Sequence, residues 1–314
     1  MRALYFKEGR VEVVETPAPR APAGWAQVRV LASGICNTDL ELWRGYYEFR
    51  GIPGHEFVGV VTSPGPFEGR RVVGEINIAC GRCTWCAAGL GRHCPRRKVL
   101  GIVRHPGAHA EFLTLPLANL HAVPDHVTDE QAVFVEPLAA ACEILEQLGD
   151  VKGRRTAVLG DGKLGLLVGQ VLEHAGAGVV VLGKHREKMA LARRLGLAAR
   201  PSQPASSHSF DLLVEASGSR AGLPRALELV RPRGTIVMKS TFHGNASFDA
   251  APLVVNEVTV VGSRCGRFPP ALDLLARNAV QVEPLISAQF PLDRAPAALR
   301  HASRPGILKV LLRP

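Results

Sequence analysis

Four cysteines crowd the stretch 80-CGRCTWCAAGLGRHC-94, spaced C-x2-C-x2-C-x7-C, in a chain of 314 residues that holds seven cysteines in all. Thiols this close can form disulfides, a redox centre, an iron–sulfur cluster or a zinc site. Further donors lie upstream and downstream. Cys36 in 34-GICNTDLE-41 offers a thiolate, His55 in 53-PGHEFVG-59 an imidazole, and Glu56 and Glu136 (the latter in 135-VEPLAAACE-143) carboxylates. Each of these four, taken singly, is more often structural, because a lone cysteine is usually core and a lone histidine is usually satisfied by packing.

A different chemistry is written at 160-GDGKLG-165, which fits G-x-G-x-x-G between an apolar strand and an amphipathic helix. Gly160 suits a tight turn, Gly162 lets the backbone approach a pyrophosphate, and Gly165 permits close packing of helix on strand. Lys163 and Leu164 open the helix whose N-terminal N–H groups face the anion. A strand-end acid, usual where a ribose 2′-hydroxyl is held, is missing: the positions read Gly183, Lys184, His185 and Arg186. A small residue followed by cations leaves room for a 2′-phosphate and neutralises it, so NADP is expected in preference to NAD. Asp161 is the odd residue, a carboxylate inside a turn meant for an anion.

Two kinds of scaffold must carry these residues. The first ~135 residues read as short strands punctuated by Gly and Pro, as in 26-AQVRVLAS-33, 57-FVGVV-61, 71-RVVGEI-76 and 111-EFLTL-115. A helix is expected over 129–149, interrupted or kinked at Pro137. From 156 onward strands (156–160, 179–182, 211–216, 235–239, 258–262) alternate with helices (163–176, 187–196, 223–230), the pattern of a parallel sheet covered on both faces. The stretch 200–209 reads as a polar loop, and a last strand is expected at 307-ILKVLL-312.

Length and composition agree with a two-domain globular protein: 46% hydrophobic and 21% charged residues. The formal charge of +10 comes from scattered pairs such as 70-RR-71 and 193-RR-194, with no basic arm, so nucleic acid is not an expected partner. The start MRALYFKEGRVEVVE lacks an apolar signal core, and no stretch suits a membrane span, so a cytoplasmic protein is expected. Disulfides rarely persist there. Four cysteines then suit tetrahedral zinc with every position filled by thiolate, a site that folds a loop. An iron–sulfur cluster shares the ligand type, but nothing else in the chain points to one-electron chemistry.

Taken in order, G-x-C-x-T-D, G-H-E, the four-cysteine lobe, E-P-L and G-x-G-x-x-G resemble the zinc-dependent medium-chain alcohol dehydrogenase superfamily over nearly the whole chain. The E-P-L element looks more like its polyol and sugar dehydrogenase branch, and the chain is also similar to short alcohol dehydrogenase-like members. The resemblance implies an α/β fold: a GroES-like, β-rich catalytic domain (1–137, with a zinc lobe at 78–97), a Rossmann doubly wound domain (138–267) and a return to the catalytic domain (268–314). It implies two zinc ions per chain. Cys80, Cys83, Cys86 and Cys94 would hold a structural one, and Cys36 and His55, with Glu56, Glu136 or a water, a catalytic one. Thr38 matches the hydroxyl that touches the substrate oxygen, Asp39 the carboxylate that orients His55. Glu41 falls where some relatives carry a relay histidine. The implied substrate is an alcohol or the matching carbonyl compound, bound in a cleft between the domains, and the implied assembly a homodimer or homotetramer paired near 258–262. A zinc-free quinone or enone reductase is opposed by Cys36, His55 and the glutamates. A non-catalytic nucleotide sensor or nucleic-acid binder has only the charge in its favour.

Overall fold

The computed structural model describes residues 1–203, 207–241 and 247–314; part of the polar stretch expected at 200–209 lies outside them. The chain divides into two compact units.

The first unit takes Met1–Glu136, Arg267–Asn278 and Leu285–Pro314. Its seven-stranded sheet runs Leu120–Ala122, Arg71–Gly74, Glu56–Val61, Trp25–Ile35, Lys309–Arg313 and Ile286–Pro291, with Phe112–Pro116 also paired to Trp25–Ile35. The long Trp25–Ile35 strand begins as a two-faced strand: Ala26, Val28 and Val30 are buried while Arg29 is exposed, as a period of two requires. Its register against Glu56–Val61 shifts between Val30 and Ala32. Beyond that shift Ala32, Ser33, Gly34 and Ile35 are all buried, so the strand enters the core just before Cys36. The C-terminal strand lies beside it, with Leu311 opposite Gly34, while Glu56 faces Gly34 from the other side. A three-stranded sheet (Asn77–Ile78, Lys98–Leu100, Arg104–His105) carries the cysteine loop, whose own structure is a short helix at Thr84–Ala87 and a 3-10 turn at Gly91–His93. Leu4, Ile35, Leu40, Leu42, Leu299 and Val310 belong to one core cluster of this unit.

The second unit takes Pro137–Gly266 and Ala279–Pro284. Six parallel strands run Ala198–Pro201, Gly178–Gly183, Arg155–Leu159, Phe210–Glu215, Val230–Met238 and Thr259–Gly262. Counted along the chain this is the order 3-2-1-4-5-6 of a doubly wound dinucleotide fold, with the reversal beside Arg155–Leu159. The central strands read as nearly unbroken apolar runs because helices cover both faces; Ala157, Val158, Leu213 and Val214 are fully buried.

Three expectations change. Pro137 does not kink a helix: it sits in the first turn of Val135–Leu148, where its missing N–H removes no helical bond, and the break falls at 133–134 after Asp129–Ala132. Ala198–Pro201 is an edge strand, and its last two residues fall in the stretch 200–209 expected to be loop. Residues 279–284 pack with the dinucleotide unit, not with the returning tail. Among the described residues no helix is long and apolar enough to cross a membrane.

Candidate active site

Cys36, His55 and Glu56 come together in the first unit: one ligand atom from each lies within 4.8 Å of the others. Local structure delivers each of them. Cys36 caps the helix Asn37–Trp43, and Asp39, two residues into that helix after Asn37, accepts the Cys36 N–H through Oδ2 at 2.8 Å. The C-N-T-D order is thus a capping arrangement that also places a carboxylate behind the site. Gly54 N donates to the other Asp39 oxygen at 3.2 Å, which ties the turn before His55 to the same carboxylate. His55 Nδ1 lies 3.6 Å from Asp39 Oδ1, leaving Nε2 as the ring's other donor atom. Thr38 Oγ1 is 3.7 Å from Cys36 Sγ.

The electrostatics favour an anionic Asp39. Burial pushes its carboxyl up, but the His55 and His109 imidazoles outweigh burial and bring it well below the usual carboxylate range. Burial alone would push His55 down; the Asp39 carboxylate and the Cys36 thiolate reverse that and hold the ring well above its ordinary value. A buried imidazole beside a cysteine sulfur and a carboxylate is a donor set that suits a cation.

Two residues behind the site have roles that motif reading missed. His109 is fully buried, with Nε2 3.5 Å from Asp39 Oδ2 and Nδ1 2.9 Å from Ser33 Oγ. Asp39 therefore stands between two imidazoles. Lys309, also fully buried, ion-pairs with Glu56 through Oε2 and lies 5.4 Å from the centre of the Phe134 ring. Glu56 Oε1 is buried and has no hydrogen-bond partner, the state expected of an oxygen that faces a metal. The available signals were a lone histidine in 107-GAHAEF-112 and a lone lysine inside the apolar run 307-ILKVLL-312. Glu136 is not among the atoms that converge within 4.8 Å, so the structure does not place it in the ligand set proposed from the E-P-L element. Glu41 pairs with Arg44 at 2.6 Å on the surface side of the helix.

The four lobe cysteines also converge, all sulfurs lying within 4.8 Å of one another. Cys83 Sγ is 3.4 Å from Cys86 Sγ and 3.7 Å from Cys94 Sγ, and Cys80 Sγ is 4.0 Å from Cys86 Sγ. Zinc–sulfur bonds of about 2.3 Å imply tetrahedral edges of about 3.8 Å, close to these three separations, so the four suit one zinc ion. Backbone N–H groups prepare two of the thiols: that of Arg82 draws Cys80 down to about 6, and that of Cys86 lowers Cys83. Its side-chain hydrogen bond with Cys83 pushes Cys86 up to about 11. The Arg96 guanidinium hydrogen-bonds the Cys80 sulfur and adds positive charge beside the cluster.

In the second unit the glycine turn follows the Arg155–Leu159 strand at the sheet's reversal. Gly160 has φ +130°, and a Cβ there would lie 2.5 Å from the Ala216 carbonyl oxygen. A Cβ on Gly165 would lie 2.1 Å from the Gly160 carbonyl, so only glycine lets the helix Lys163–His174 start this close to the strand. A Cβ on Gly162 would meet nothing within 4 Å, which is the open cradle a pyrophosphate needs above the helix N-terminus. Lys163 and Leu164 form the first turn of that helix. At the next strand end, Lys184, His185 and Arg186 are exposed, as the expected cation set. The space beside Gly183 is another matter. It is filled by the side chain of Asp161, whose Oδ2 lies 2.6 Å from where a Gly183 Cβ would be. A side chain at Gly183 would therefore meet Asp161.

Comparison with known proteins gives the same two-part division. Residues 22–125 match the alcohol dehydrogenase GroES-like domain, and residues 164–277 the zinc-binding dehydrogenase domain. D-altritol 5-dehydrogenase of Agrobacterium fabrum is 32% identical over 99% of this chain and 98% of its own length. A zinc-binding dehydrogenase from Sinorhizobium meliloti 1021, solved bound to NADP, superposes with a TM-score of 0.91 at 28% identity, covering 100% of this chain and 99% of its own. A short chain alcohol dehydrogenase from E. coli CFT073, complexed with NADH, superposes with a TM-score of 0.92 at 25% identity over the same shares.

Proposed function

The chain belongs to the zinc-type medium-chain dehydrogenase/reductase superfamily, and from that premise we propose that it is a zinc-dependent oxidoreductase acting on a polyol, a sugar-like compound or another secondary alcohol, or on the matching carbonyl, with a nicotinamide cofactor. The observation that carries the reading is the convergence of Cys36, His55 and Glu56 with the Thr38 hydroxyl beside them. Three protein donors of this mixed type leave a zinc position open for substrate, whereas four thiolates in the lobe leave none. The D-altritol relative supports a polyol substrate. The neighbours solved with NADP and with NADH support a nicotinamide dinucleotide and differ in which one.

In this reading Cys36 and His55 hold the catalytic ion, with Glu56 Oε1 or a water completing the set. A zinc ion bound there supplies Lewis acidity at the substrate oxygen, and a bound nicotinamide supplies the hydride acceptor or donor. The protein's own residues do the rest. Thr38 Oγ1 accepts the substrate hydroxyl's hydrogen bond and is the first station for its proton. Asp39 fixes the His55 ring and stays ionised between two imidazoles, the usual means by which a ligating histidine is held. Lys309 neutralises Glu56 through Oε2 and leaves Oε1 without a hydrogen-bond partner. In alcohol oxidation the hydroxyl proton would leave through Thr38, while the carbon-bound hydrogen would go to the bound nicotinamide. Cys80, Cys83, Cys86 and Cys94 hold a second, structural ion that fixes the lobe. Pairing into a homodimer or homotetramer through the edge strand Thr259–Gly262 is part of the same proposal.

The test is zinc per chain by elemental analysis, on protein purified without added metal and again after zinc supply, with Cys36→Ser alongside. The reading expects two ions, falling to one in the variant. One ion in both proteins after zinc supply would remove the catalytic centre from the proposal.

A further inference from the structure

The carboxylate inside the glycine turn points away from the anion that the turn is built to hold. Asp161 is 6% exposed and reaches across to the end of the neighbouring strand. Its Oδ2 accepts the backbone N–H groups of Lys184 at 2.8 Å and of His185 at 2.7 Å, and its Oδ1 lies 2.9 Å from His185 Nδ1. The side chain occupies the volume next to Gly183: a Cβ on that glycine would lie 2.6 Å from Asp161 Oδ2 and 2.9 Å from Asp161 Cβ. Gly183 is the last residue of its strand, the position from which sites of this kind extend an acid toward the adenosine ribose. Here the strand supplies no side chain, and a carboxylate arrives at the same place from the turn.

We propose that Asp161 selects the cofactor, so that the site takes a dinucleotide with a free adenosine 2′-hydroxyl, NAD(H), in preference to one carrying a 2′-phosphate. The inference deepens the dehydrogenase reading above and rests on it. Two facts oppose the phosphate. The backbone N–H groups of Lys184 and His185, the fixed donors at this corner, already serve an internal anion. A 2′-phosphate would also bring its charge against a buried carboxylate that burial tends to neutralise but that the His185 N–H and ring keep ionised. A ribose hydroxyl, by contrast, is a donor that such a carboxylate accepts. Opposing this, Lys184 and Arg186 are exposed cations, whose attraction for a phosphate is screened by salt. His185 is turned to Asp161 by its Nδ1 contact.

The test is direct binding to the zinc-loaded protein, without turnover: titration with NADH and with NADPH followed by nicotinamide fluorescence, and competition by ADP-ribose and by its 2′-phosphorylated form. NADH is expected to bind at least about tenfold more tightly than NADPH, the size of one hydrogen bond to a charged group. ADP-ribose should outcompete its 2′-phosphorylated form by a similar factor. Asp161→Asn should remove most of the difference by weakening NADH. Should that variant fail to fold, the competition series on the unaltered protein decides alone. NADPH binding as tightly as NADH, or more so, would overturn the inference and leave the dehydrogenase reading standing. A folded Asp161→Asn that keeps the full preference would overturn the assignment to Asp161. Binding of neither nucleotide would overturn both readings.

Discussion

Lys309→Met removes an ammonium group from the core and leaves its partner behind. Both side chains of the Lys309–Glu56 pair are out of water, at 0% and 1% exposure, and the remaining Glu56 oxygen has no partner. The carboxylate is left buried without its ammonium partner, so the cost belongs to the class of broken buried pairs, about 3–5 kcal/mol. The lost contact of the ammonium with the Phe134 ring is partly replaced by the methionine sulfur, worth ~0.3–1.5 kcal/mol against an aromatic ring, and does not change that range. The assay is unusually clean because the chain's three tryptophans, Trp25, Trp43 and Trp85, all lie in the first unit. Urea unfolding followed by tryptophan fluorescence therefore reports that unit alone. With a slope of about 2 kcal/mol per molar urea, the midpoint should fall by about 1.5–2.5 M. Adding Glu56→Gln to Lys309→Met should recover more than half of the loss, because the stranded charge is then gone. Zinc loading is matched between the proteins by elemental analysis. A loss below about 1 kcal/mol, or a double variant no more stable than the single one, would refute the description of this pair as a buried, mutually dependent ion pair.

His109→Phe keeps the volume packed on Gly54 but removes the imidazole facing Asp39, so zinc at the Cys36 site should be held about tenfold less tightly, measured by competition with a chromophoric chelator. His109→Gln, which keeps a donor, should restore part of the affinity; equal affinities for all three proteins would count against a role for His109. In the other unit, Arg155 and then Arg231 hold the Asp211 carboxyl well below its usual value. A depressed carboxylate contributes stability that is present above about pH 4 and is lost as the pH falls toward its folded value. Asp211→Asn should therefore flatten the acid side of the stability profile seen by circular dichroism. The difference at neutral pH should be no more than about 1 kcal/mol, since the pair is partly exposed, and an unchanged acid limb would contradict the pairing.

The parts of this molecule that could be read from the sequence are those whose constraint is local. Four thiols within fifteen residues must lie near one another, and G-x-G-x-x-G after a strand has few other uses. The alternation of strands and helices after residue 156 reported the doubly wound sheet because each strand is buried on both faces. Pro137 misled because its effect depends on where the helix begins, and a helix start at Val135 makes the same residue harmless. Ala198–Pro201 was hidden because an edge strand need not be apolar.

What sequence alone could not supply is the identity of whatever fills the space a glycine leaves. Gly34 and Gly183 each read as a small residue in a strand, and each marks a crossing point. A Cβ on Gly34 would lie 2.5 Å from Glu56 Oε2 and 3.3 Å from Lys309 Cδ, so this glycine opens the passage through which a lysine 253 residues away in sequence reaches Glu56. At Gly183 the same absence was taken as room for a phosphate, and the structure shows that a Cβ on this glycine would meet Asp161. The inference from glycine to available volume is sound chemistry, but it names a vacancy in one strand and not its occupant. In a packed interior a vacancy beside a strand is normally filled by the protein itself, and the candidates come from any strand the topology brings alongside. A glycine at a ligand corner therefore argues for a ligand only after the neighbouring loops have been searched for a side chain of matching length. In this chain that search ends at the Asp161 carboxylate, the residue on which the proposed cofactor preference rests.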